Sequence, residues 1–248
     1  MSATRYETIG TTYARSRRTE PRIAAQIRAA LGDADPVLNV GAGTGNYEPA
    51  DRRVVAVEPS SAMIGQRAPG SAPVVRGVAE ALPFADATFA AALGVLTVHH
   101  WTDRARGLAE LRRVAARQVL LVFEPAFTGT LWMLDYWPEV MALDTEREAP
   151  SVAELAEHLD VQRVEVVPVP HDCRDGFGGA FWARPERYLD PEVQAGISSL
   201  SQLRPEDRAR GTERLRAALE SGEWDARHGA LRTQPEIDLG YRLLVAGR

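Results

Sequence analysis

The sequence predicts an α/β fold: a doubly wound, mainly parallel sheet of seven strands, with a helical insertion before the last strand. Three observations predict it. Apolar runs recur through the first two thirds of the 248 residues and are continuous, not alternating, as in parallel strands covered on both faces. Segments with helical apolar spacing lie between them, which is the alternation of doubly wound folds. A glycine-rich turn follows the first run, where such folds make a tight strand-to-helix connection.

The elements follow in order. Residues 20–31 read as a helix with Ile23, Ile27, Ala30 and Leu31 on one face, Pro21 in the first turn and Gly32 at its end. "PVLNV" (36–40), "VVAVEP" (54–59) and the weaker "APVVRG" (72–77) read as strands. "FAAALGVLTV" (89–98) has a period that also allows a buried helix, but its flanks favour a strand. A helix is expected from Asp103 to Ala115 with Leu108, Leu111 and Val114 inward, then the clear strand "QVLLVFEP" (118–125). The last third differs. Ser151 and Glu154 form a capping box, and "VQRVEVVPV" (161–169) and "DLGYRLLVAG" (238–247) read as antiparallel-type strands. Between those strands, 170–237 reads as an ordered insertion, with a helix near 205–220 turning Leu215 and Leu219 inward.

Composition narrows the function. The chain is 45% hydrophobic and 25% charged with a net charge of −5, and its arginines are scattered among acids with no lysine. This argues against a nucleic-acid partner. One cysteine, Cys173, excludes an internal disulfide framework and a cysteine-built zinc site. No window approaches the ~18 apolar residues of a membrane span, and "MSATRYETIG" lacks the apolar core of a signal peptide. A cytoplasmic protein without membrane contact is expected.

"VLNVGAGTGNYEP" (37–49) carries the first chemical signal. Glycine at the carboxyl end of a strand lets the backbone turn with positive φ and lets a ligand reach main-chain atoms. A nicotinamide fingerprint wants a small residue where Asn46 stands, and a phosphate-binding Walker loop needs a lysine that is missing. A tight turn without ligand stays open on the turn alone. Glu58 ends the next strand, 13 positions after Gly45. There a carboxylate can accept both hydroxyls of a ribose; alternatively it is a solvated strand-end acid.

"VLNVGAGTGNY", "VVAVEPSSAM", "VVRGVAEALPFADATFAAALGVLTVHHW" and "QVLLVFEP" together resemble the successive motifs of class I S-adenosylmethionine-dependent methyltransferases, nearest the small-molecule enzymes related to ubiquinone and menaquinone C-methylation. "YETIGTTYARSRR" resembles the lid helix of that group. The resemblance implies a Rossmann-like methyltransferase fold with S-adenosyl-L-methionine as cofactor and S-adenosyl-L-homocysteine as product. It implies that Gly41, Ala42 and Gly43 run beneath the methionine part, that Gly45 lets the next helix approach, and that Glu58 holds the ribose. Pro59 and Met63 would line the adenine, and Ala79 would offer it an N–H. Many relatives carry an acid before that alanine; here it is Val78, which leaves the adenine amino group to Glu80 or water. Gly94 and Val95 would lie under the methionine chain. Tyr13 and Arg17 would close over the cofactor, with Arg17 pairing with its carboxylate or, alternatively, solvated.

Methyl transfer from a sulfonium is an in-line displacement in which orientation and exclusion of water do most of the work. A base is needed only for a nucleophile of high pKa. His99 and His100 are the candidates; alternatively His100 packs with Trp101 and caps the next helix. In "PHDCRDGFGGAFWARP" (170–185), His171, Asp172, Cys173, Asp175 and three aromatics suit an acceptor pocket, or tuck Phe177, Phe181 and Trp182 into the core. No metal site is expected there, because no third ligand is spaced to help. Trp132, Tyr136 and Trp137 are further candidate walls, or core.

The chain is expected to be a single domain over 1–248: an N-terminal lid (1–35), a cofactor-binding core (36–125) and an acceptor-side cap (126–160 and 170–237). It would act as a monomer or homodimer on a small organic acceptor. The alternatives are a homologue that binds the cofactor but catalyses another reaction such as cyclisation, and a non-enzymatic interaction protein.

Overall fold

In the computed structural model, residues 17–247 are described. Nine strands form among the described residues: β1 (Val37–Val40), β2 (Val54–Glu58), β3 (Val74–Arg76), β4 (Phe89–Val95), β5 (Ala115–Phe123), β6 (Val161–Val166), β7 (Val169–Pro170), β8 (Glu236–Ile237) and β9 (Tyr241–Gly247). Seven make one sheet in the order β3-β2-β1-β4-β5-β9-β6, while β7 and β8 pair separately. The first five run parallel, and β9 runs antiparallel to both β5 and β6.

Continuous apolarity in the central strands has a direct structural cause. Successive side chains point to opposite faces, and both faces are covered. In β5, Val119 and Leu121 join the layer of helix α1 (Pro21–Leu31), where Ile23, Ile27, Ala30 and Leu31 are buried. Leu120 and Val122 join the opposite layer with Leu108, Leu111 and Val114 of a second helix, Arg104–Val114. Glu20 caps α1, Pro21 opens it and Gly32 ends it at φ +56°. Asp103 caps the second helix by accepting the Arg106 N–H at 3.0 Å. The Ser151–Glu154 capping box is formed in both directions.

β5 runs from Ala115 to Phe123 in place of 118–125, β3 shortens to Val74–Arg76, and three further strand boundaries differ from expectation for local reasons. β4 stops at Val95 because Leu96 turns to φ +50° and Val98–His100 coil into a 3₁₀ turn. The 161–169 segment divides because Pro168 has no N–H to give to the ladder. The 238–247 segment enters the sheet only at Tyr241. Gly240 before it sits at φ +94°, and Phe127 occupies the place of its absent Cβ.

A cap with its own core follows β5. Trp132, Met133, Tyr136, Trp137 and Val140 interlock with Phe181, Tyr188, Val193, Ile197, Leu200, Leu215 and Trp224. Its longest helix, Pro205–Glu220, buries Leu215 and partly buries Leu219.

Candidate functional site

The sheet order reverses between β1 and β4, and the crevice beyond the carboxyl ends of such strands is where open α/β sheets bind ligands. Two cavities open there. The first, about 280 Å³, is bounded by the glycine turn, Glu58 to Met63, Gly77 to Glu80, and Val95 to Thr97. The second, about 110 Å³, lies between the ends of β4, β5 and β9 and the cap. They share Arg17, Leu96 and His100.

The turn is fixed by its own backbone. Gly41 and Ala42 donate to the Val57 carbonyl at 2.9 and 3.1 Å, and Gly45 donates to Ala42 at 2.9 Å. Gly41, Gly43 and Gly45 have φ of +68°, +53° and +94°. A Cβ on Gly41 would stand 1.9 Å from Thr97 Oγ1, so only glycine fits against the segment that follows β4. Glu58 is buried and bridges the turn to β2: Oε2 accepts the Gly43 N–H at 2.8 Å and Oε1 the Ser60 N–H at 2.9 Å. Beneath the turn, Arg67 donates to both oxygens of Glu48 at 2.7 and 2.8 Å and to the Gly43 carbonyl at 3.3 Å. Sequence reasoning missed this brace; an Arg and a Glu nineteen residues apart carry no local signal.

Of the remaining sequence-predicted residues, Pro59, Met63, Ala79, Glu80 and Val95 line the first cavity with Ala42, Gly43 and Glu58. Gly45 and Gly94 do not. No helix follows the turn for Gly45 to admit, because residues 46–53 form turns that lead straight to β2; Gly45 faces the Arg67 guanidinium, and the space beside Gly94 is filled by Leu120 at 2.8 Å from where a Cβ would be. Glu80 accepts the Thr102 and Asp103 N–H groups at 2.7 and 3.2 Å, which ties the cavity rim to the next helix. Tyr13 lies outside the described residues.

Arg17 lies between the cavities, its side chain 9% exposed. It forks onto the fully buried Asp175, Nε at 2.6 Å and Nη2 at 3.1 Å. Tyr47 donates its hydroxyl to the same carboxylate at 2.9 Å. Burial, reinforced by the Asp175 charge, drives the Tyr47 phenol far above its ordinary pKa, so it stays a donor. Asp175 thus fastens the segment at Arg17 to the glycine turn.

His99 and His100 follow β4 on the 3₁₀ turn, their ring centroids 3.8 Å apart. His99 faces the second cavity and His100 both. The helix cap expected of His100 is instead Asp103, and Trp101 packs flat over Gly107, where a Cβ would meet it at 2.6 Å.

The 170–185 loop divides between the two readings. Phe177 is buried in the main core and lines the second cavity with Gly178, while Phe181 and Trp182 are buried in the cap and the main core. Asp172 pairs with Arg22 at 2.7 Å, and burial pushes the Cys173 thiol up to about 12. Among the described residues no cluster of His, Cys, Asp and Glu could hold a metal. Trp132, Tyr136 and Trp137 belong to the cap core; their neighbours Leu131, Met133 and Leu134 are the cavity wall.

Residues 38–123 match the family model described as a methyltransferase domain. A putative methyltransferase from an antibiotic biosynthesis pathway of Anabaena variabilis is 32% identical, with 94% of this chain and 99% of that one covered and a TM-score of 0.85. The chain belongs to the class I S-adenosylmethionine-dependent methyltransferases. S-adenosylmethionine is the cofactor of this chain, as of its family. More distant relatives share the fold. The [4+2]-cyclase SpnF is 15% identical with 99% and 95% of the two chains covered and a TM-score of 0.57. The geranyl diphosphate C-methyltransferase of Streptomyces coelicolor, solved with S-adenosyl-L-homocysteine, is 16% identical with 92% and 79% covered and a TM-score of 0.50. No curated protein matches the sequence. Among the described residues no helix of this methyltransferase is long and apolar enough to cross a membrane.

Proposed function

We propose that the chain transfers a methyl group from S-adenosylmethionine to a small organic acceptor, with the cofactor in the first cavity and the acceptor in the second. The observation that carries this reading is the junction of the two cavities at Leu96, His100 and Arg17. In-line displacement needs donor and acceptor to meet at one point, and these are the described residues that line both cavities.

The first cavity fits the cofactor on its own chemistry. Gly41 to Gly43 line the cavity with a turn that carries no bulky side chain, and Gly43 and Ser60 hold the Glu58 carboxylate in position for a ribose diol. Pro59, Met63 and Ala79 supply an apolar slot for a flat base. Residues 17–35 then act as the described part of the lid, 36–125 as the cofactor-binding core, and 126–160 with 170–237 as the acceptor-side cap. Arg17, held by Asp175, closes the junction against water. His100 orients the acceptor there and takes a proton when the nucleophile must lose one, with His99 behind it. The bound cofactor supplies the activated methyl, and the protein supplies alignment and a dry site. Detection of a methylated product distinguishes methyl transfer from cyclisation, the reaction of one protein that shares the fold.

The test is thermal stability with S-adenosylmethionine, S-adenosylhomocysteine and NAD. At a hundred times its dissociation constant a ligand adds about 2.7 kcal/mol. Both sulfur ligands should raise Tm and NAD should not; a shift with NAD alone refutes the reading.

A further inference from the structure

One acidic side chain stands in the wall of the second cavity with a role that nothing above requires. Glu146 lies on the short helix Asp144–Arg147, which links the first half of the cap to the Ser151 helix. The wall around it is mainly apolar: Leu96, Val122, Phe123, Met133, Phe177 and Ile197. Several of the other polar groups there are already engaged, while the Thr128 and Ser199 hydroxyls add two neutral groups to the wall. Tyr241 donates its hydroxyl to the Gly178 carbonyl at 2.6 Å, Arg17 is forked onto Asp175, and Thr145 and Ser198 bond to Gln202 at 3.3 and 3.2 Å. Among the described residues nothing hydrogen-bonds the Glu146 carboxyl. The titratable groups that share the cavity with it are Arg17, His99, His100 and Tyr241.

Building on the reading of this cavity as the acceptor site, we propose that Glu146 is the polar anchor of the acceptor, and that the acceptor is an uncharged, largely apolar molecule with a hydroxyl that meets the Glu146 carboxyl. The geometry supplies the first half: an unpartnered carboxyl facing an apolar hollow whose volume is of the order that one aromatic ring fills. Charge supplies the second. The apolar wall disfavours a charged guest, and burial raises the Glu146 pKa above its ordinary value, in the same direction. A neutral carboxyl both donates and accepts, which matches a hydroxyl and gives no advantage to an ammonium or a carboxylate. Glu146 is a positioning residue; the reacting atoms lie toward His100.

The test uses the full chain saturated with S-adenosylhomocysteine and three one-ring probes: p-cresol, benzoate and benzylammonium, titrated by ligand-observed NMR. The expected order places p-cresol first. Glu146→Gln, which keeps a donor and an acceptor, should hold p-cresol within about twofold. Glu146→Leu should weaken it about fivefold, the scale of one neutral hydrogen bond. S-adenosylhomocysteine affinity should be unchanged in both. Preference for benzylammonium, lost in Glu146→Gln, would overturn the proposal in favour of an ionised anchor. Equal p-cresol affinity in all three proteins, or no binding of p-cresol to the wild type, also overturns it while leaving the cofactor reading intact. Failure of the wild type to bind S-adenosylhomocysteine overturns that reading itself.

Discussion

The two sides of the cavity junction are built from different materials. The turn side is main chain: three glycines at positive φ, amides of Gly41 and Ala42 on Val57, and one carboxylate clasped by two more amides. The cap side is side chain: tryptophans, leucines and a phenylalanine interlocked around Trp137, with the cavity wall formed by the residues left facing inward. Backbone geometry depends on a few residues and tolerates little change, whereas a packed shell can change its lining while keeping its core. This is the division expected of a protein that holds one cofactor and a variable acceptor.

If the division is real, damage to one side should leave the other intact. The largest effect is expected from Trp137→Ala. Trp137 is fully buried, donates to the Arg208 carbonyl at 3.0 Å and packs against Gly211, where a Cβ would stand 2.1 Å from its ring. Its loss should cost about 3–5 kcal/mol in urea unfolding, while S-adenosylhomocysteine affinity of the folded fraction stays within twofold. A parallel fall in affinity would break the comparison. Gly41→Ala should do the reverse. Left-handed strain and the Thr97 contact cost about 1–3 kcal/mol, enough for a tenfold or greater loss of S-adenosylhomocysteine binding by calorimetry, with p-cresol binding retained.

The smallest effect is a pH slope that belongs to the cap. Glu146 has a raised folded pKa. Above the unfolded value of 4.5 the unfolded chain has released a proton that the folded state keeps, so stability falls as pH rises from 4.5 through the folded pKa. Glu146→Gln should remove that part of the slope, read as the difference between urea midpoints of the two proteins from pH 4.5 to 7.5. Identical pH profiles would show that Glu146 is solvated in solution.

The same division sets what the sequence could show. The parallel strands, the α1 face and the Ser151 capping box were legible because each rests on local spacing or a local cap. The glycine turn and Glu58 were legible because backbone geometry restricts which residue types fit. The cap side was not. Trp132, Tyr136 and Trp137 could be read as pocket wall or as core, and tertiary packing chose core and left Met133 and Leu134 as wall. Arg17 suggested a cofactor contact, yet its described partner is Asp175, 158 residues away. Glu146 gave no signal, since an acid between Thr145 and Arg147 reads as a solvated helix face until the cavity beside it is seen.

The most direct test of the two-sided account is hydrogen–deuterium exchange with and without saturating S-adenosylhomocysteine. Slower exchange is expected at residues 41–47, 58–63 and 78–82, with 185–231 unchanged. Protection confined to 185–231, or none in the glycine turn, would contradict it.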